Sequence, residues 1–273
     1  MQIKNLGDTP FHGILSCFFS AFENYFVAFP KDENLFRKRW EMAKIDYKFS
    51  YGMFDNDTLV GFILHAIDVR EGQVTAFNLA TGVIPEYRGK GITNKIYEYA
   101  LNELKHKGVT KCKLEVIKEN INAIKAYKRV GFEIVKGYKC FAGKIEMEGE
   151  EPIGITPLAL SDINLKTLVN QSYYSWENQI ETIQSGDYKL YQVIFNNQVE
   201  SYFIINENGY IPQFETVFDN EETWKRLFTG IGKISKTIKI NNIDEQLEHK
   251  ISQVLKFGLA NTIDQYEMEL LIK

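Results

Sequence analysis

The chain has 273 residues, 44% hydrophobic and 25% charged, a balance that fits a soluble globular protein of one large domain or two ordinary ones. Its net charge of −4 argues against nucleic acid as the main partner, because a phosphate-binding surface needs a basic excess. Cys17, Cys112 and Cys140 form no close pair, and His12, His65, His106 and His249 form no motif, so neither a disulfide framework nor a metal site is expected.

The most membrane-like run, Phe11 to Phe29, is interrupted by His12, Glu23 and Asn24 and has no basic region before it. It reads as an aromatic-rich amphipathic helix, so the expectation is a cytoplasmic protein with no membrane partner. Residues 11–28 and 32–44 are expected helices, with Phe18, Phe22, Tyr25 and Phe26 at spacings of three and four. Two apolar runs around Asp55-Asn56-Asp57 predict a hairpin, and QVTAFNLATGVI, ending at Ile84, a third strand. After the turn EYRGKGIT, Glu86 to Thr93, comes a helix to about Lys107, with Gly108 as its stop. KCKLEVI (111–117) is a buried strand, NINAIKAYKRV (120–130) a short helix closed by Gly131, and FEIVKGYKCFAGKIEM two strands around Gly137.

A polar break at 148–157 is the linker candidate, dividing the chain into residues 1–148 and 149–273. The second half repeats the order of the first. A helix around 161–183 precedes two strands joined by a short turn, then YIPQFETVF, a helix near 221–229, the strand KTIKINNI, the helix DEQLEHKISQVLKF and closing strands in LANTIDQYEMELLI. Tyr127-Lys-Arg-Val-Gly-Phe132 lies opposite Val254-Leu-Lys-Phe-Gly-Leu259, an offset of 127 residues. The expected architecture is α/β, a tandem repeat of one fold with a mixed sheet.

EYRGKGIT sits where a strand ends and a helix begins. The first turn of a helix carries unpaired N–H groups and the positive end of the helix dipole, and glycine lets backbone approach an anion. The patterns GxxxxGK[ST] and GxGxxG are both absent. Arg88-x-x-Gly91-x-Thr93 resembles motif A of the GNAT superfamily of N-acetyltransferases, Gln/Arg-x-x-Gly-x-Gly/Ala. Asn120-x-x-Ala123-x-x-x-Tyr127-x-x-x-Gly131-Phe132 resembles its motif B, at the usual separation and on the expected elements. The close resemblance covers roughly residues 50–147, and it extends the expectation to a GNAT-like acyl-CoA N-acyltransferase fold in two tandem lobes.

The resemblance implies acetyl-coenzyme A as cosubstrate, with no metal. The backbone of Arg88, Gly89, Lys90, Gly91, Ile92 and Thr93 would bind the pyrophosphate, and Val83 and Ile84 would pair with the pantetheine arm. The fourth and fifth strands of that fold splay apart there. Asn120 and Ala123 would belong to the same site, Asn120 as a hydrogen-bond partner of pantetheine, with Tyr127 beside the sulfur. Thr93 departs from the family pattern: it either crowds the pyrophosphate or donates its hydroxyl to a phosphate oxygen.

Keeping an alkyl amine neutral at pH 7 costs about 4.6 kcal/mol, so a base eases its attack. A leaving thiolate needs a proton, which suits Tyr127 as general acid, and Glu115, twelve residues earlier, is the base candidate. That spacing also occurs in the ribosomal-protein N-terminal acetyltransferases this segment resembles. Asn78 and Glu86 are weaker candidates for binding the acceptor, and His65 and Asp68 read as structural. In the second half the corresponding loop is the acidic DNEE and Val254 replaces Tyr127, so one coenzyme site per chain is expected. The function expected is an N-acetyltransferase acting on a small-molecule or peptide amine as a monomer or homodimer. The alternative is a non-catalytic acyl-CoA-binding module.

Overall fold

A computed structural model describes residues 1–145, 152–162 and 168–272. The chain forms two compact units, Met1–Val135 with Glu267–Lys273, and Lys136–Tyr266.

In the first unit, strand β1 (Gln2–Asn5) pairs antiparallel with β2 (Tyr51–Asp55), which pairs with β3 (Thr58–Arg70), and that with β4 (Gln73–Val83). The β2–β3 turn carries Asn56 at φ 53°, a backbone state asparagine tolerates better than most residues. Strand β5 (Lys111–Ile117) lies parallel to β4, but only from Thr75↔Lys111 to Asn78↔Leu114. Beyond Asn78 the two strands part.

Neighbouring residues on β3 and β4 point to opposite faces, and two glycines mark the consequence. A Cβ on Gly82 would strike Ala21 of α1 (Phe11–Ala21), whereas one on Gly61 would strike Ile92 of α3 (Ile92–His106). On the α1 face, Phe18 packs its ring 5.0 Å from Phe36 and 5.7 Å from Trp40, both on α2 (Glu33–Met42), and 6.2 Å from Phe62. Asp32 caps α2 by accepting from the Leu35 N–H. Helix α1 is shorter than its aromatic periodicity predicts. It stops at Ala21, and Asn24 follows at φ 58°, which ends any continuation to residue 28.

Helix α4 (Ile121–Val130) is capped at its start by Asn120 and at its end by Gly131 at φ 112°. Strand β6 (Glu133–Lys144) runs unbroken through Gly137, where two strands were expected. Gly137 is a close-approach residue and not a turn: a Cβ there would enter the Glu245 carboxylate.

The second unit holds β7 (Gly154–Leu158), β8 (Lys189–Phe195), β9 (Gln198–Ile205) and β10 (Gln213–Thr216) in the antiparallel order β10-β9-β8-β7. Residues 154–157 of the expected linker are therefore strand, and 148–151 lie outside the described residues. The long helix expected over 161–183 is replaced by short turns and α5 (Ile180–Ile183), with 163–167 outside the described residues. Helix α6 (Glu221–Ile234), β11 (Thr237–Asp244), α7 (Glu248–Lys256) and β12 (Ala260–Leu271) follow in the order of α3, β5, α4 and β6. The single strand β12 replaces the several expected. Trp224, Leu227, Phe228 and Ile231 of α6 form the centre of this unit's core with Phe203, Phe214 and Ile240.

The offset of 127 relates the start of α4 to that of α7 and the limits of β6 to those of β12. The closing strands are exchanged. β6 pairs from Tyr138 to Lys144 with β11 of the second unit, while β12 gives Glu267–Leu271 to the first unit beside β5. Lys113 there meets Glu267 at 3.4 Å and Glu269 at 2.9 Å.

His65 is fully buried on β3, its Nδ1 2.8 Å from the Phe49 carbonyl, and burial pulls its pKa down to about 4. A depressed folded pKa means that the unfolded chain takes the proton first as pH falls. Stability from this group is whole above about pH 6.5 and is lost towards pH 4, by up to about 3 kcal/mol. Urea unfolding at pH 7 and pH 4.5 measures the loss, and His65→Leu removes that share of the difference.

Candidate active site

The parting of β4 from β5 opens a cleft of about 680 Å³ in the first unit. One wall is the β4–α3 connection. Arg88 ends a tight turn over 85–87, Gly89 and Gly91 follow at φ 76° and 71°, and α3 starts at Ile92 with no side-chain cap. The first intrahelical bond is from Lys95 N to the Gly91 carbonyl, which leaves the N–H groups of Ile92, Thr93 and Asn94 without a helical acceptor. Among the described residues, no group accepts from Gly89, Lys90 or Gly91 either. A Cβ built on Gly89 or Gly91 meets nothing within 4 Å, so open space lies against these donors. Unpaired N–H groups at the positive end of a 15-residue helix, beside open space, fit a pyrophosphate.

Arg88 holds this loop in place. Its Nε donates to the Val83 carbonyl at 3.2 Å and its Nη2 to the Ala21 carbonyl at 2.9 Å. The guanidinium thus caps the C-terminal end of α1 and ties it to the loop, while the loop's backbone faces the cleft.

Of the residues expected from the sequence, Val83, Arg88, Gly89, Gly91, Ile92, Thr93, Asn120, Ala123 and Tyr127 line the cleft. Ile84 lies beside it, half-buried, its N–H donating to the Val60 carbonyl. Lys90 is exposed with its Nζ 4.5 Å from the centre of the Tyr87 ring. Thr93 is half-exposed on the lining. Glu115 is half-buried on β5 and is not among the lining residues; by strand alternation it shares its face with Lys111 and Lys113. Glu86 is exposed and outside the lining, and Asp68 pairs with Lys44 at 2.6 Å and Arg70 at 3.2 Å.

Asn120 accepts from Ala123 N at 3.2 Å through Oδ1 and donates to the Tyr25 hydroxyl at 3.5 Å. Tyr25, with Phe22 and Phe26, forms the aromatic wall opposite α4; the helix-period reading of residues 11–28 found these side chains but not the turn that presents them. Tyr127 is buried at the cleft floor, and burial pushes its phenol up to about 12, opposed in part by the nearby Thr81 hydroxyl and Asn78 amide. Asn78 is buried and does not line the cleft. Sequence patterning gave no sign of Thr81, which lines it.

Residues 14–132 match the model of the acetyltransferase (GNAT) family. The chain is 33% identical over 86 residues to N-alpha-acetyltransferase 30 of Schizosaccharomyces pombe, covering 31% of this chain and 57% of that protein. The chain carries the GNAT family's pattern over residues 14–132. It spans just over half the length of this relative. In fold it is similar to a tandem GNAT protein from the clavulanic acid biosynthesis pathway, with a TM-score of 0.70, 12% identity and coverage of 100% of this chain and 98% of that one. It is also similar to a GCN5-related N-acetyltransferase from Sphaerobacter thermophilus, with a TM-score of 0.66, 11% identity and coverage of 100% and 96%.

Among the described residues of the second GNAT-like unit, two places that line the first cleft are occupied by larger side chains, as strand register shows. The hairpin pairs Asp55↔Thr58 and Phe195↔Gln198 set β3 and β9 at an offset of 140, so Ser201 matches Gly61. Their partners on the next strands are Thr216 and Val83, which puts Glu215 at the place of Gly82. The offset of 127 puts Lys250 at the place of Ala123. Two small residues that line the first cleft are thus replaced by an ion pair, Lys250 Nζ to Glu215 Oε1 at 2.8 Å, with side chains 6% and 8% exposed. Tyr174 donates to the same carboxylate oxygen at 2.6 Å, and the Lys250 ammonium sits 4.3 Å from the centre of the Phe214 ring. A cavity of about 10 Å³ remains beside them.

Two outcomes follow. Gly91→Val places a β-branched residue at positive φ and fills the cradle, and calorimetry is expected to show coenzyme A affinity at least tenfold weaker. Lys250→Met leaves Glu215 as an uncompensated buried charge and is expected to cost about 3–5 kcal/mol in urea unfolding; a loss within experimental error contradicts the ion-pair account.

Proposed function

We propose that the chain is an acetyl-CoA-dependent N-acetyltransferase with one coenzyme site, in the first unit, acting on a primary amine of a small molecule or peptide. The observation that carries this reading is the row of unpaired backbone donors from Gly89 to Asn94, in one cleft with the buried phenol of Tyr127. The parted strands leave Val83 without a partner on β5, so that its N–H can pair with an extended pantetheine arm while its carbonyl accepts from Arg88. The α4 end of the cleft, at Asn120 and Ala123, completes the binding groove. Likeness to a protein named an N-alpha-acetyltransferase supports a peptide amine among the acceptors.

Acetyl-CoA supplies an activated acyl group; the chain's own residues supply position and proton management. Tyr127 keeps its proton up to about pH 12, so at neutral pH it is a donor for a departing thiolate. Glu115, at the start of the splay on β5, takes a proton from the substrate ammonium and so frees the lone pair of the attacking amine, through water given its place outside the lining. In the second unit, Lys250 and Glu215 fill the equivalent groove and the acidic residues Asp219, Glu221 and Glu222 stand at the opening of α6. Both features oppose a pyrophosphate there.

Isothermal titration with acetyl-CoA, together with thiol detection over a panel of amines, tests this reading. The expected result is one site per chain and thiol release with at least one amine. Tyr127→Phe and Glu115→Gln are each expected to lower kcat by about 10²-fold or more with little change in coenzyme affinity. Binding without thiol release against any amine identifies a non-catalytic acyl-CoA-binding module, and no binding overturns both.

A further inference from the structure

The loop that opens α3 has its own cations engaged elsewhere. The Arg88 guanidinium donates to the Val83 and Ala21 carbonyls, and the Lys90 ammonium stands over the Tyr87 ring. The backbone donors at the helix start carry only about half a positive charge, whereas a pyrophosphate diester is a dianion. The other cations lining the cleft are Lys125 and Arg129, exposed and one turn apart on α4. Among the described residues, neither has an ion-pair or hydrogen-bond partner. Glu23, the carboxylate in the lining, stands on the aromatic wall opposite α4.

The second unit shows what a cation at this place in the fold reaches. The offset of 127 puts Lys256 of α7 at the place of Arg129, and His249 at that of Asn122. The opening of α6 corresponds to that of α3, with Asn220 at the cap position that Gly91 holds. There Lys256 Nζ lies 3.1 Å from Glu221 Oε1, and His249 Nδ1 lies 2.7 Å from Asp219 Oδ1. Side chains of α7 thus close on carboxylates at the start of α6, and that unit carries its anions in its own sequence. The corresponding residues of the first unit, Lys90 and Ile92, bring no carboxylate, so an anion there is a ligand.

We propose that Arg129 is the side-chain ligand of the coenzyme's pyrophosphate, closing from α4 on the group held by the backbone of Gly89 to Asn94. The inference rests on the acetyltransferase reading of the cleft and adds the cation that the backbone cradle lacks. A guanidinium forks onto two phosphate oxygens, where an ammonium offers a point charge. Lys125 has Ser252 at its place in the second unit, and it adds positive charge to the same wall without a contact of this kind.

Calorimetry with coenzyme A and with dephospho-coenzyme A, which keeps the pyrophosphate and lacks the 3′-phosphate, tests the assignment. Arg129→Gln is expected to weaken both ligands by a similar factor, about tenfold or more. Arg129 is exposed, so the variant is expected to fold as the wild type does. Arg129→Lys is expected to recover part of the affinity, which a merely structural role does not predict. Lys125→Gln is expected to cost less than Arg129→Gln with either ligand. Wild-type affinity is expected to fall with added salt more steeply than that of Arg129→Gln. Unchanged affinity in Arg129→Gln overturns the proposal. So does a loss confined to coenzyme A, which places Arg129 on the 3′-phosphate, or a larger loss in Lys125→Gln. Failure of the wild type to bind either ligand overturns the acetyltransferase reading, and this assignment with it.

Discussion

Among the described residues nothing accepts from the backbone N–H groups of the first turn of α3, and the rest of the first unit is arranged around that fact. A helix start normally satisfies such donors with a side-chain cap or with water. Here Gly91, at positive φ, occupies the cap position and brings no side chain to do so. Arg88 is tied to Val83 and Ala21, which keeps its charge near the donors without placing its side chain over them. The parting of β4 and β5 then supplies a groove leading from the donors to Tyr127.

The second unit follows the same order of elements, and among its described residues two places of the groove wall are taken by larger side chains. Glu215 and Lys250 stand where Gly82 and Ala123 stand in the first unit, and a buried ion pair with Tyr174 occupies the space. A pair of this kind adds little net stability over apolar filling, yet removing one partner is costly, so the closed state persists once acquired. The exchange of closing strands, β6 to the second unit and the end of β12 to the first, completes each unit's sheet with a strand from the other repeat. A single copy of the repeat lacks that strand from its own sequence.

Much of this was legible in the sequence because local chemistry specifies it. The glycine turn at 89 and 91, the helix stop at Gly131 and the apolar run of β5 each carry their own structural instruction, whereas the capping role of Asn120, read as the first helical residue, did not show. The repeat offset, visible in two hexapeptides, holds to the residue for β6 and β12. What was not legible depends on partners distant in sequence. Gly137 looks like a turn until Glu245 is seen against it, and Phe22 to Phe26 keep a helical period although the helix has ended. Lys250 and Glu215 are ordinary charges on paper and a plug only in register. Asn78, read as a possible acceptor contact, is buried behind the cleft, where its two bonds reach Thr81 and Tyr97.

The central claim is that the donors between Gly89 and Asn94 bind the pyrophosphate of acetyl-CoA, and that only the first unit does so. Titrating acetyl-CoA into nitrogen-15-labelled protein and following backbone amide resonances measures both parts at once. The account predicts that the largest shifts fall on Gly89 to Asn94, with Asn120 and Ala123 responding, while the amides from Val217 to Glu222 stay still. Shifts centred on Val217 to Glu222, or none in the Gly89–Asn94 turn at saturating ligand, would contradict it.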